Sequence, residues 1–155
     1  MLQVKNLFVD LGGFRLTADF EIERGSLISI VGPSGAGKST ILNALAGFIP
    51  LTSGVIKWNG SDITKLDPGL RPLSILFQDY NLFSHLTVKD NIAIGLRPNL
   101  KLDDLETEMV NSVIDEVGLS KFKFIKPFQL SGGQRTRVSL ARSIVRSKPI
   151  LLLDE

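Results

Sequence analysis

Gly32-Pro33-Ser34-Gly35-Ala36-Gly37-Lys38-Ser39-Thr40 is the stretch on which the fold turns. Its first eight residues satisfy the spacing G-x-x-x-x-G-K-[ST], in which glycines let successive backbone N–H groups curl around a phosphate. Before it runs Leu27-Ile28-Ser29-Ile30-Val31, which reads as a short β-strand. After it, Ile41, Leu42, Leu45 and Ala46 recur at helical spacing within residues 39–48. A helix N-terminus would therefore face the loop and add the positive end of its dipole. In such a site Lys38 reaches the β- and γ-phosphates, and the Ser39 hydroxyl ligates Mg²⁺. A merely flexible glycine turn has no need to sit between a strand and a helix.

Outward from the loop, the pattern is that of an α/β chain. Residues 4–9 and 14–22 read as two strands joined by Gly12-Gly13, an N-terminal antiparallel unit. Residues 54–59 and 73–77 are further strand-like runs, the second apolar enough to be buried. From residue 87 to about 118 the period becomes helical. Thr87 is placed to cap with Asp90, and Leu105, Met109, Val113 and Ile114 make an apolar face. Ser131 opens another helix to about residue 146, ended by Lys148-Pro149. Residues 150–153, apolar on both faces as in a buried parallel strand, deliver Asp154 and Glu155. A helical subdomain of about 87–130 is thus expected within one α/β domain over 1–155.

Composition narrows the chemistry. With 155 residues, 43% hydrophobic and 22% charged, the chain is globular rather than disordered. It has no cysteine and a single histidine, His85, so neither a disulfide framework nor a thiolate or histidine metal site is available, and a reducing setting fits. His85, among Phe83, Ser84 and Leu86, reads as a loop or packing residue rather than a catalyst. The longest apolar runs fall far short of the ~20 residues that cross a bilayer, and no signal-peptide pattern opens the chain. Membrane association is expected through a partner. The net charge of +2 is scattered rather than gathered into a stripe. Nucleic acid is not the expected ligand, whereas a modest basic excess suits polyphosphate.

Two further motifs have ordinary readings beside functional ones. Leu130-Ser131-Gly132-Gly133-Gln134 opens a helix, and Ser131 with Gln134 makes a capping box that needs no ligand. Asp154-Glu155 after an apolar strand could hold Mg²⁺ and polarise an attacking water, although acidic pairs often end strands. Gln78, closing the 73–77 run, has an amide able to meet Mg²⁺ or water, and a lone glutamine there is commonly a solvated loop residue.

In this order the motifs resemble the ABC ATPases, the ATP-binding subunits of transporters. The resemblance implies an α/β P-loop nucleoside triphosphatase of ABC type, with an N-terminal antiparallel β unit and an inserted helical subdomain. It makes residues 32–40 the Walker A loop, Gln78 the Q-loop glutamine, Leu130 to Gln134 the signature, and Ile150 to Glu155 Walker B with a catalytic glutamate. It implies ATP and Mg²⁺ as cofactors, with Lys38, Gln78 and Glu155 catalytic and Ser39, Gln78 and Asp154 on the metal. Partners would be a second ATP-binding subunit in a head-to-tail dimer, membrane permease subunits and, indirectly, a periplasmic solute-binding protein. Ser131, Gly132, Gly133 and Gln134 would then complete the partner's site, on the cytoplasmic face of a bacterial inner membrane. Residues 80–86, with Tyr80, Leu82 and Phe83, are the segment expected to dock the permease. The wording of residues 71–88 and 95–102 resembles most the subunits of thiamine importers, with iron, polyamine and sulfate importers as relatives of the same class.

Two departures from that family stand out. Its adenine-stacking aromatic has no clear counterpart: Leu11 is near the place, with Phe8 and Phe14 on either side. The resemblance covers the first two-thirds of a usual domain, so the last strands, the D-loop and the switch histidine are expected to be missing. The chain as given is expected to bind nucleotide without steady turnover. A nonhydrolytic remnant is the rival reading. An ABC protein of DNA repair or translation would bring paired domains or long coiled-coil insertions, which the sequence lacks.

Overall fold

A computed structural model describes residues 1–77 and 79–154; Gln78 and Glu155 lie outside the described residues. The chain divides into two compact units, residues 1–73 with Asp154, and residues 74–153.

In the first unit, β1 (Leu2–Asp10), β2 (Arg15–Ile22), β3 (Ser53–Trp58) and β4 (Ser61–Asp62) form an antiparallel sheet in the order β2-β1-β3-β4. β1 pairs Leu2 with Ile22 and Asp10 with Arg15 on one side, and Leu2 with Trp58 on the other. Its buried residues change phase midway: Leu2 and Val4, then Leu7 and Val9. A strict alternation would have turned the second pair to solvent. The register slips between Val4 and Leu7, where Asn6 takes φ 49° and donates its N–H to the Asp19 carboxylate at 2.9 Å. This bulge keeps both apolar pairs in the core.

The helix α1 (Lys38–Ala46) adds Ile41, Ala44, Leu45 and Ala46 to that core. It ends on Gly47 at φ 87°, with the Phe48 N–H returning to the Asn43 carbonyl. Its last carbonyls have a second partner that the sequence did not announce. Arg71 is buried, and its guanidinium donates to Ala44 O (3.0 Å), Leu45 O (2.6 Å), Leu66 O (3.0 Å) and Thr64 O (2.6 Å). Burial lowers its pKa below the ordinary arginine value.

The strand expected over residues 27–31 is not formed. These residues lie in irregular chain, with Leu27 93% and Val31 91% exposed. A β-rich run carries half of a ladder only; a neighbouring backbone must supply the other half, and none of the described strands pairs with it. The glycine loop is therefore entered from irregular chain.

The second unit holds α2 (Val88–Ala93), α3 (Asp104–Glu116) and α4 (Gly132–Val145), with 3₁₀ turns at Ser120–Phe122 and Pro127–Gln129, and the paired strands β5 (Leu73–Leu76) and β6 (Ile150–Leu153). Each helix starts on a reciprocal capping box: Thr87 with Asp90, Asp103 with Glu106, Ser131 with Gln134. Val88, Ile92, Val110, Ile114, Leu119, Val138, Ala141 and Val145 interlock as its core. On α3 the buried stripe is Val110 and Ile114, with Val113 and Val117 packed beside it. Leu105, 73% exposed, and Met109 face solvent, contrary to the expected face. The stripe continues from 110 through 113/114 to 117, and the row through 105 and 109 falls just outside it. In β6 Leu152 is buried while Leu151 and Leu153 are exposed, so the strand alternates instead of burying both faces.

Candidate functional site

The loop before α1 is open to solvent and turns through two left-handed glycines, Gly35 at φ 81° and Gly37 at φ 92°. Gly37 is the N-cap of α1 and supplies no side-chain cap, so the first N–H groups of the helix are left for an incoming anion. Its missing Cβ also has a spatial reason: a methyl there would lie 2.6 Å from Phe14 Cζ and 3.4 Å from Leu16 Cδ1. Phe14, one of the aromatics flanking Leu11, thus packs its ring edge on the last turn of the loop.

Lys38 folds back along the loop, donating from Nζ to Gly32 O and Pro33 O, each at 2.8 Å. Among the described residues no carboxylate pairs with it. Ser39 Oγ donates to Asp154 Oδ1 at 2.8 Å, joining residues 115 apart in sequence. Two hard oxygen donors side by side fit Mg²⁺, which takes one or two protein oxygens and completes its octahedron with phosphate and water. Among the described residues no cluster of three or more His, Cys, Asp or Glu offers a full protein cage.

In the second unit, Ser131 Oγ accepts the Gln134 N–H at 3.3 Å, and the Gln134 side chain accepts the Ser131 N–H at 2.8 Å. Gly132 and Gly133 have open space where a Cβ would be. The segment after Gln78 is held from two sides. Tyr80 and Asn81 are both left-handed, at φ 57° and 44°. Their carbonyls accept from Arg142 at 2.8 Å each, and Tyr80 O accepts from Ser139 Oγ at 3.1 Å. Burial and the neighbouring Arg146 lower the Arg142 pKa, in that order. Buried Asn91 accepts the Phe83 N–H at 2.8 Å and donates to the carbonyls of Phe83, Leu86 and Thr87. Leu82 packs on the helical core, whereas Phe83 and His85 are exposed and meet edge-on at 6.0 Å.

Residues 16–155 match the ABC transporter family. The chain belongs to that family. It is 52% identical over all its 155 residues to the thiamine import ATP-binding protein ThiQ of Histophilus somni, covering 72% of that protein. It is 47% identical over its full length to ThiQ of a Ruegeria species, covering 67% of it. The match to ThiQ of Escherichia coli O157:H7 is 52% over 134 residues, 86% of this chain and 58% of the relative. Among solved structures, the dimeric post-hydrolysis state of the ATP-binding cassette MJ0796, bound to ADP and phosphate, superposes with a TM-score of 0.83 at 29% identity, over 100% of this chain and 74% of that one.

The fold is accordingly that of an ABC-type P-loop nucleoside triphosphatase, and this ABC domain is a nucleotide-binding one. Of the residues singled out in sequence, the structure brings Lys38, Ser39 and Asp154 to one place and sets Ser131 to Gln134 at the start of α4. Gln78 and Glu155 lie outside the described residues. Sequence reading missed Arg71, Asn91 and Arg142. Each is a polar residue in an apolar pattern: Asn91 stands between Val88 and Ile92, and Arg142 between Ala141 and Val145. Such breaks in an apolar face are a usable signal, because a polar group buried there must find partners.

Proposed function

We propose that this ABC domain is the ATP-hydrolysing subunit of a bacterial importer whose cargo is thiamine, working at the cytoplasmic face of the inner membrane. The observation that carries the chemistry is Lys38, Ser39 and Asp154 converging on a solvent-open glycine loop at a helix N-terminus. The cargo rests on identities near 50% to thiamine import ATP-binding proteins over the whole chain. In this reading residues 32–40 cradle the phosphates, and Lys38 leaves the loop carbonyls for the β- and γ-phosphate oxygens. Ser39, Gln78 and Asp154 would hold Mg²⁺, which would offset the phosphate charge. Glu155 accepts a proton from the water that attacks the γ-phosphorus as the bond to the β–γ bridging oxygen breaks and ADP leaves. Residues 87–130 act as a helical subdomain that carries the signature, and Ser131, Gly132, Gly133 and Gln134 complete the site of a second subunit. Residues 80–86 dock the permease.

The test pairs two measurements. Fluorescent-nucleotide titration should give Mg-dependent binding that Lys38→Ala abolishes. Supplying the chain extended to full domain length to cells lacking their own thiamine-import ATPase should restore uptake of labelled thiamine, but not of iron, polyamine or sulfate. Binding without any uptake would favour the nonhydrolytic remnant; uptake of another solute would reassign the cargo. Ser131→Arg separates the trans role from capping: it should leave nucleotide affinity intact and prevent ATP-driven dimers. Normal dimers would make Ser131 a helix cap only.

A further inference from the structure

Between α3 and α4, residues 120–128 read Ser-Lys-Phe-Lys-Phe-Ile-Lys-Pro-Phe, alternating basic and large apolar residues with no acidic one. The structure sorts them onto two faces. Phe122 and Ile125 pack against the helical core, and Pro127 is buried. The opposite face presents Lys121, Phe124, Lys126 and Phe128 to solvent, with Phe124 76% and Phe128 71% exposed. Lys123 lies over the Phe124 ring, its Nζ 5.5 Å from the centroid. None of the three lysines has an ion-pair partner among the described residues. The segment is not slack chain. The Val88 and Lys89 N–H groups at the start of α2 donate to Ile125 O at 2.9 Å and Lys123 O at 3.0 Å, and the flanking 3₁₀ turns brace both ends.

Two phenylalanines held out in water by a braced loop cost free energy that something must return. We propose that this face seats directly on an anionic phospholipid bilayer, with Phe124 and Phe128 entering the headgroup–acyl boundary and Lys121, Lys123 and Lys126 resting on acidic headgroups. The charge is complementary to such a surface, and aromatic rings with flanking lysines are the pairing that the interface favours. Protruding side chains suit a soft bilayer better than a protein partner, which would have to offer a preformed pocket for each ring. The contact adjoins the segment assigned to permease docking, since Val88 and Lys89 directly follow residues 80–86, and it needs no helix able to cross the membrane; none of the described helices can.

The test is sedimentation of the purified chain with vesicles of phosphatidylcholine alone or with about a third phosphatidylglycerol, each at low salt and at 0.5 M NaCl. Binding is expected to the anionic vesicles only, weakened by salt as charges are screened. Lys121→Gln, Lys123→Gln and Lys126→Gln combined, or Phe124→Ser with Phe128→Ser, should lower partitioning at least about tenfold while leaving helix content and nucleotide affinity unchanged. Phe124→Trp adds a readout independent of recovery: its emission should shift to the blue with anionic vesicles and stay put with neutral ones. Absence of binding by the folded chain, binding indifferent to both sets of substitutions, or an unshifted Trp would overturn the proposal. Binding of an acidic peptide, lost in the same variants, without vesicle binding would also overturn it and make this face a protein contact.

Discussion

At the scale of single residues, the loop depends on one charge and one backbone sign. Lys38 is held by two neutral carbonyls at 2.8 Å, partners it can exchange for phosphate without breaking an ion pair. A hydrogen bond to a charged group contributes roughly 1.5–3 kcal/mol, so Lys38→Ala should weaken nucleotide binding at least about tenfold by titration. Gly37 is sensitive for two separable reasons. Its φ of 92° costs an L-residue about 1–2 kcal/mol, and a Cβ would press on Phe14. Gly37→Ala should lower the urea midpoint, and Phe14→Ala in the same chain should return only the steric part. Full recovery would mean that the backbone there tolerates a side chain.

At the scale of elements, helix ends hold the site residues in position. Ser131 caps α4 whatever else it does, and Ser131→Ala should cost about 1 kcal/mol in denaturant unfolding. Arg142, three turns into the same helix, clamps the two left-handed residues Tyr80 and Asn81, so α4, which starts at the Ser131 cap, also holds the segment that follows Gln78 in sequence. Arg142→Met would leave the Asn81 carbonyl without its guanidinium partner and Tyr80 O with Ser139 alone, at a cost of roughly 1–3 kcal/mol; amide exchange over residues 79–83 should quicken more than over α3. Its pH behaviour has a definite sign. Burial, with Arg146 beside it, depresses the folded pKa of this base, so the destabilisation it causes is relieved only as pH climbs past that folded value. Two capping boxes, Thr87 with Asp90 and Ser131 with Gln134, were legible in the residue spacing because each is closed within four residues, whereas Asp103 with Glu106 emerged only from the structure. The burial phase of α3 was not, because Leu105 and Met109 fit a helical period as well as Val110 and Ile114 do, and only the packed neighbours choose between the rows.

At the scale of the molecule, residues 27–31 present four large apolar side chains to solvent without a ladder. Leu27→Ser with Val31→Ser should therefore leave the unfolding free energy within about 0.5 kcal/mol while reducing hydrophobic-dye binding and aggregation; a large loss of stability would show that these side chains are packed in solution. The same segment separates what the sequence alone determined from what it did not. The glycine loop, the β1–β2 hairpin and the starts of α2 and α4 were readable because glycine backbone freedom, capping and alternation act over a few neighbouring residues. The meeting of Ser39 with Asp154 across 115 residues, the capture of the α1 carbonyls by Arg71, and the unpaired state of residues 27–31 were decided by tertiary structure. The physical reason is common to all three: a hydroxyl, a guanidinium or a strand edge states in sequence that it needs a partner, and only the folded chain determines which distant backbone or side chain arrives to provide one.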